Sequence, residues 1–175
     1  GRVALYCVEV AGGHTLTCVI MYGWTGGAQS TKDAARTDDL LRIVFRELAA
    51  QPDGPQFVMG DLTASIPDLP PLPNALEVTD DDNFHAWHDV GAEADLWGSV
   101  PNEPTCLAPN AKKANRRDYV IANTVVFGLI ESFDVTWDGF YKVHASIRFT
   151  LNLEPLVVKT RVVNNAGSFY DKLSE

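Results

Sequence analysis

Residues 57–64 read FVMGDLTA, a short apolar run that ends in Gly-Asp and then turns polar. A run of this length bounded by turn residues reads as a buried strand, here Gln56–Met59, with Asp61 just past its end. A carboxylate in that place is a turn former, a helix cap or half of a metal site. The residues upstream decide the layer this strand belongs to. Leu40, Leu41, Val44, Phe45 and Leu48 recur at helical spacing, with Arg42, Arg46 and Glu47 on the other side, which predicts an amphipathic helix over about 31–51. Ser30 or Thr31 can cap its start, and QPDGPQ stops it.

Further upstream, residues 2–10 and 15–22 read as paired strands whose two faces are both largely apolar, the pattern of a strand covered on both sides. If VAGGHT is a tight hairpin turning at Gly12-Gly13, residues whose numbers add to 25 oppose each other, and Cys7 faces Cys18 beside Leu5 and Ile20. Two buried reduced thiols are the reading there, with a cross-strand disulfide as the alternative. Downstream, IPDLPPLPN is a stiff connection with room for one helical turn, and residues 79–97 mix turn formers with aromatics. EPTCLAP, RRDYVIAN, SFDVTW and HASIRFTLNL read as strands, PLVVKTRVV as one more, and the end as a loosely held tail. The order β-β-α-β, then loops, then β-β-β predicts a layered α/β (α+β) domain over 1–153 with an extension over 154–175.

A chain of 175 residues with 46% hydrophobic content can bury one sizeable core. It contains no apolar stretch long enough to span a bilayer, and GRVALYCVEV lacks the features of a secretory signal, so it reads as soluble and intracellular. The absence of an initiator Met and the immediate strand pattern suggest a fragment or a processed chain. A net charge of −9 opposes loose nucleic-acid binding, although a local basic patch can still take phosphates. The three cysteines have no metal-site spacing such as CxxC. His85, His88 and Asp89 in FHAWHD lack a second ligand block, and the run Asp80-Asp81-Asp82 reads as a turn.

Four blocks in order, MYGWTGG (21–27), GDLTA (60–64), PTCLAPNAKKANRRDYVIAN (104–123) and KVHASIRFTL (142–151), resemble the endonuclease/exonuclease/phosphatase superfamily. The version is most similar to the endonuclease region of non-LTR retrotransposon polyproteins, and the likeness covers the later part of a family domain. The resemblance implies part of a four-layer αββα sandwich and a metal-dependent phosphodiesterase site. Breaking a phosphodiester needs an activated water, a divalent ion on the phosphate oxygens and donors for the growing negative charge. By the resemblance, Tyr22 contacts phosphate, Asp61 positions the attacking water and is the acidic ligand for Mg²⁺ or Mn²⁺, and Asp118 orients the active-site His144. Thr63, Lys112, Lys113, Arg116 and Arg117 are the phosphate-binding candidates around them.

The chain departs from the family pattern in three places. Thr63 stands where the family has Asn, and a hydroxyl offers one donor where an amide offers two. The closing Ser-Asp-His reads Lys142-Val143-His144, and Val143 cannot bind a metal. The earlier part of the domain, which supplies an Asn and a metal-binding Glu, is absent. A cooperating constellation that loses one member loses orders of magnitude in rate. The expectation is a nuclease-like domain with a degraded site, not catalytic as this chain alone, or else a binding or structural subunit that kept the scaffold. Because a partial sandwich leaves apolar sheet exposed, another polypeptide or a missing N-terminal segment is expected to pack on the 2–10/15–22 face. DNA is a partner if the site is active, and no membrane insertion is expected.

Overall fold

In the computed structural model, which describes residues 1–69, 76, 86–137 and 142–156, the apolar run at 57–59 lies in the central strand of a sheet. Strands β1 (Val3–Val10), β2 (His14–Tyr22), β3 (Gln56–Asp61), β4 (Trp87–Asp89) and β5 (Asp118–Asn123) form a five-stranded mixed sheet in the order β1-β2-β3-β5-β4. Only the β2–β3 pair is parallel, and helix α1 (Thr31–Ala49) makes the crossover that a parallel pair requires. Ser30 caps α1 through its hydroxyl, which accepts from the Asp33 N–H at 3.3 Å. A second sheet pairs β6 (Ile130–Thr136) with β7 (Ser146–Leu151), and the short helix α2 (Thr124–Phe127) joins β5 to it.

The alternation of side chains along the strands separates two cores. On one face Val19, Met21, Val58, Tyr119 and Ile121 pack with Leu41, Val44 and Leu48 of α1, the stripe expected from the sequence. On the other face Phe57, Val120 and Ala122 pack with Ile130, Phe133 and Phe149 of the β6–β7 sheet. The protein is therefore layered as helix, five-stranded sheet and two-stranded sheet, an α/β architecture of the expected class.

Three expectations are corrected. The hairpin turns through Ala11, Gly12 and Gly13, with both glycines at positive φ (84° and 78°), so opposed residues add to 24. Cys7 faces Thr17 and is exposed, Cys18 faces Tyr6, and all three cysteines are free thiols. β1 is an edge strand open to solvent, with Leu5, Tyr6 and Val8 between 41% and 52% exposed, rather than covered on both sides. EPTCLAP is reduced to isolated bridges from Cys106 to Asn115 and His144. The strand and tail expected beyond residue 156, His85 and the run 80–82 lie outside the described residues. Among the described residues no helix is long and apolar enough to cross a membrane.

Candidate active site

Asp61 ends the central strand because the chain leaves the sheet there. The residue before it, Gly60, has φ 144°, and a Cβ at that position would sit 1.9 Å from the Met21 carbonyl oxygen. Only glycine allows β3 to come that close to β2 at the point where the strand twists out. The turn is then closed by Asp61 itself, whose Oδ1 accepts the Thr63 N–H at 2.7 Å, leaving Oδ2 facing the site. Asp61 is thus the turn former, one of the three readings its position allowed, and its second oxygen lies 3.9 Å from His144 Nε2.

Strand register gathers the rest. Tyr22 pairs with Asp61 and Asp61 with Asp118, so the three form a row across β2, β3 and β5, with side chains on the face that carries the second sheet. His144 is brought over this row by its bridge to Cys106, two residues ahead of β7. Its Nδ1 lies 2.9 Å from Asp118 Oδ2 and its Nε2 3.9 Å from Asp61 Oδ2. Ligand atoms of Asp61, Asp118 and His144 all fall within 4.8 Å of one another. The imidazole is one-third exposed, and the two carboxylates are 13% and 17% exposed, so the cluster is sheltered but open on one side.

Burial pushes the Asp61 carboxyl above its ordinary value; the Thr63 N–H opposes this, and the neighbouring Asp118 carboxylate adds to it. Two carboxylates this close favour a cation between them, and that is the physical basis for a divalent ion here. The donor set of two carboxylates and an imidazole fits such an ion, with Asp61 Oδ2 as the ligand left free by the turn.

The other predicted residues divide. Arg117 reaches the site: its Nη1 donates to the Thr63 carbonyl oxygen at 3.1 Å, and its charge acts on Asp61. Arg116 turns to Asp89, which it grips with both Nη atoms, and to Asn102, while its guanidinium lies over the Tyr119 ring. That places it in the wall of a neighbouring 570 Å³ cavity as a buried ion pair, not as a free phosphate donor. The Thr63 hydroxyl is spent on the Trp24 carbonyl oxygen, and the residue itself is held at φ 54°. Lys112 and Lys113 are exposed on the loop between Cys106 and Asn115. Tyr22 stays in the row but is 45% exposed, with its hydroxyl 3.4 Å from Thr25 Oγ1 and Arg2 against its ring. His88 is held by Thr124, Glu93 and a stacked Phe127, and it takes no part in the cluster.

Two site residues carry no signal in the sequence. Thr105 is buried, and its hydroxyl accepts the N–H groups of both Arg117 and Asp118, fixing where β5 begins. Cys106 places Sγ 3.7 Å from His144 Nε2. Burial raises its thiol above the ordinary value, and the carboxylates of Asp118 and Asp61 push in the same direction.

This layered architecture is found in solved structures. The 3′-5′ exonuclease NExo from Neisseria meningitidis superimposes with a TM-score of 0.60 at 13% identity, over 85% of this chain and 64% of that one. The chain has the endonuclease/exonuclease/phosphatase fold. A family protein so described from Leptotrichia buccalis gives 0.53 at 11% identity, over 86% of this chain and 52% of its own. The endonuclease domain of TRAS1, a telomere-specific non-LTR retrotransposon, gives 0.53 at 13% identity, over 87% and 64%. The chain therefore spans less than two thirds of the length of these nuclease-fold proteins. No protein-family model and no curated protein matches it by sequence.

Proposed function

We propose that this chain is a nuclease-like domain that keeps the histidine-aspartate half of a metal-dependent phosphodiesterase site and does not cleave phosphodiesters by itself. The observation that carries the reading is the convergence of Asp61, Asp118 and His144, from three separate segments, within 4.8 Å. In this reading Asp118 holds the His144 ring, whose Nε2 faces the substrate phosphate, and Arg117 adds positive charge beside it. Asp61 Oδ2, with Asp118 alongside, holds Mg²⁺ or Mn²⁺, which when bound neutralises phosphate charge.

Three features support loss of turnover in this chain. Val143 stands beside His144 where the family places an acid. The Thr63 hydroxyl is already donated to the Trp24 carbonyl and cannot donate to phosphate. Arg116 is consumed by Asp89. A strip of the sheet is also uncovered: Tyr6, Val8 and Ile20 lie on the sheet face that carries β6–β7 elsewhere, yet are 46–52% exposed. We assign this strip to further polypeptide of the same domain, which would complete a four-layer sandwich. Burying each such side chain is worth roughly 1.5–3 kcal/mol.

The test is a supercoiled-plasmid nicking assay with Mg²⁺ or Mn²⁺, comparing the chain with Asp61→Ala. The expected result is no metal-dependent nicking by either. Nicking by the chain that Asp61→Ala abolishes would overturn the inactive reading and leave a working endonuclease.

A further inference from the structure

We infer that Cys106, His144 and Asp61 form a binding site for a borderline divalent ion of the zinc class, with Asp118 as the group that aims the imidazole. This deepens the proposed site and rests on it for the place of the ion, but it assigns different ligands and a different metal.

The geometry carries it. Nε2 of His144 has two potential ligands near it, Cys106 Sγ at 3.7 Å and Asp61 Oδ2 at 3.9 Å. Around a tetrahedral zinc ion, with bonds of about 2.0–2.3 Å, neighbouring ligand atoms stand about 3.4–3.6 Å apart. These two edges are therefore already within about 0.6 Å of the loaded lengths, while Cys106 falls outside the group whose ligand atoms all lie within 4.8 Å of one another, so the Cys106–Asp61 edge must shorten when the ion binds. On the far side of the ring, Nδ1 meets Asp118 Oδ2 at 2.9 Å. An ionised carboxylate can only accept, so Nδ1 carries the hydrogen, and in the neutral ring Nε2 presents its lone pair toward Cys106 and Asp61. A carboxylate behind a histidine is the arrangement that orients metal-binding imidazoles. The backbone adds rigidity: Cys106 bridges both Asn115 and His144, and Asp61 is pinned by the Thr63 N–H.

The chemistry of the donors selects the ion. Mg²⁺ takes oxygen ligands and gains nothing from a thiolate or an imidazole, whereas sulfur and nitrogen donors favour zinc and its neighbours. The same three side chains could instead serve as a thiol nucleophile with a histidine base. Asp61 argues against that use, because its carboxylate contests the same ring nitrogen that would take the thiol proton.

Cobalt(II) is the probe, since a thiolate ligand gives it an intense near-ultraviolet charge-transfer band and tetrahedral geometry gives strong visible bands. The protein carries Cys7→Ser and Cys18→Ser, leaving Cys106 as its only thiol. The expected result is a one-to-one complex with both signatures, displaced by Zn²⁺ but not by millimolar Mg²⁺. Cys106→Ser or Cys106→Ala should abolish the charge-transfer band and weaken Zn²⁺ binding at least 100-fold. Asp118→Asn should keep the band and weaken binding roughly 10–100-fold. Cobalt bound with only weak visible bands, unchanged by Cys106→Ser, would overturn the thiolate site while leaving a hard-metal site at Asp61. Absence of binding by cobalt, zinc and manganese alike would overturn both. Thermal melts of each variant separate loss of a ligand from loss of the fold.

Discussion

Asp118 and His144 are 26 residues apart in the chain, one opening β5 and the other just ahead of β7, yet their Oδ2 and Nδ1 atoms stand 2.9 Å apart. The contact joins the central sheet to the segment that leads into the second one. With Asp118 ionised, the hydrogen must reside on Nδ1. Long-range ¹⁵N–¹H correlation spectra of the neutral ring should therefore show a single Nδ1–H tautomer. Asp118→Asn, whose amide can both donate and accept, should give a mixture and cost about 1 kcal/mol in urea unfolding. A wild-type ring protonated on Nε2 would remove the orienting role of Asp118.

Asp61 should behave as a site residue does, at the expense of stability. Burial raises its carboxyl above the ordinary value, so the folded chain holds a proton that the unfolded chain has already released. Stability from this group is full below the ordinary carboxyl range and is lost as pH rises through the raised folded value. Asp61→Asn keeps an acceptor for the Thr63 N–H and removes the buried charge. It should raise the melting temperature at pH 7, with the gain shrinking as the pH falls to the ordinary carboxyl value of 3.8. A variant less stable than wild type at pH 7 in metal-free buffer would contradict this account.

Gly60→Ala tests why the motif reads Gly-Asp. The new methyl group would meet the Met21 carbonyl oxygen at 1.9 Å, against backbone rather than a flexible side chain, at a φ of 144° that L-residues avoid. Neither strand can retreat without breaking the β2–β3 ladder that sets Tyr22 beside Asp61. The expected cost is roughly 3 kcal/mol or more, read as a fall in denaturation midpoint. Ala at exposed Gly13, whose added Cβ meets nothing within 4 Å, should cost less despite its φ of 78°.

These residues also mark how far the sequence could be read. Helix α1 was legible to within two residues at its end, because Leu41, Val44 and Leu48 repeat with a helical period and Ser30 marks the start. Most strands were legible from their patterning, although EPTCLAP is not one and β4 was not foreseen, and the convergence of Asp61, Asp118 and His144 followed from the family resemblance. The hairpin register was not legible, since AGG serves a two-residue or a three-residue turn equally, and one residue of slip changes every cross-strand pair. Arg116 and Arg117 could not be told apart for a related reason. Successive residues entering a strand point to opposite faces, and nothing local says which face holds the site. Cys106 was invisible because its partners come from distant segments, and no spacing rule covers a ligand set assembled only by the fold.

The two arginines should separate cleanly in experiment. Arg116 and Asp89 are 11% and 9% exposed, joined by two hydrogen bonds, and Gly91 leaves the space into which the guanidinium fits. Arg116→Ala leaves a buried carboxylate unpaired and should cost about 3–5 kcal/mol. Among the described residues, the Arg117 side chain hydrogen-bonds only the Thr63 carbonyl. Arg117→Ala should cost about 1 kcal/mol while weakening phosphate or DNA binding, measured by titration at low salt. A variant lacking Arg116 that kept its stability but lost phosphate binding would restore Arg116 to the site.

The outer strip of the sheet gives the last expectation. Tyr6, Val8 and Ile20 share one face, since Tyr6 pairs with Cys18 and Val8 with Leu16, and residues two apart on a strand point the same way. Their exposure of about one half means that α1 and the β6–β7 sheet leave them uncovered. Tyr6→Lys with Val8→Lys should therefore lower binding of a hydrophobic dye and reduce self-association, with a change in unfolding free energy within about 0.5 kcal/mol. If further polypeptide of the domain covers the strip, the same pair of changes should abolish association with that polypeptide supplied in trans. Dye binding and association both unmoved by the two lysines would rule out a further layer on this strip.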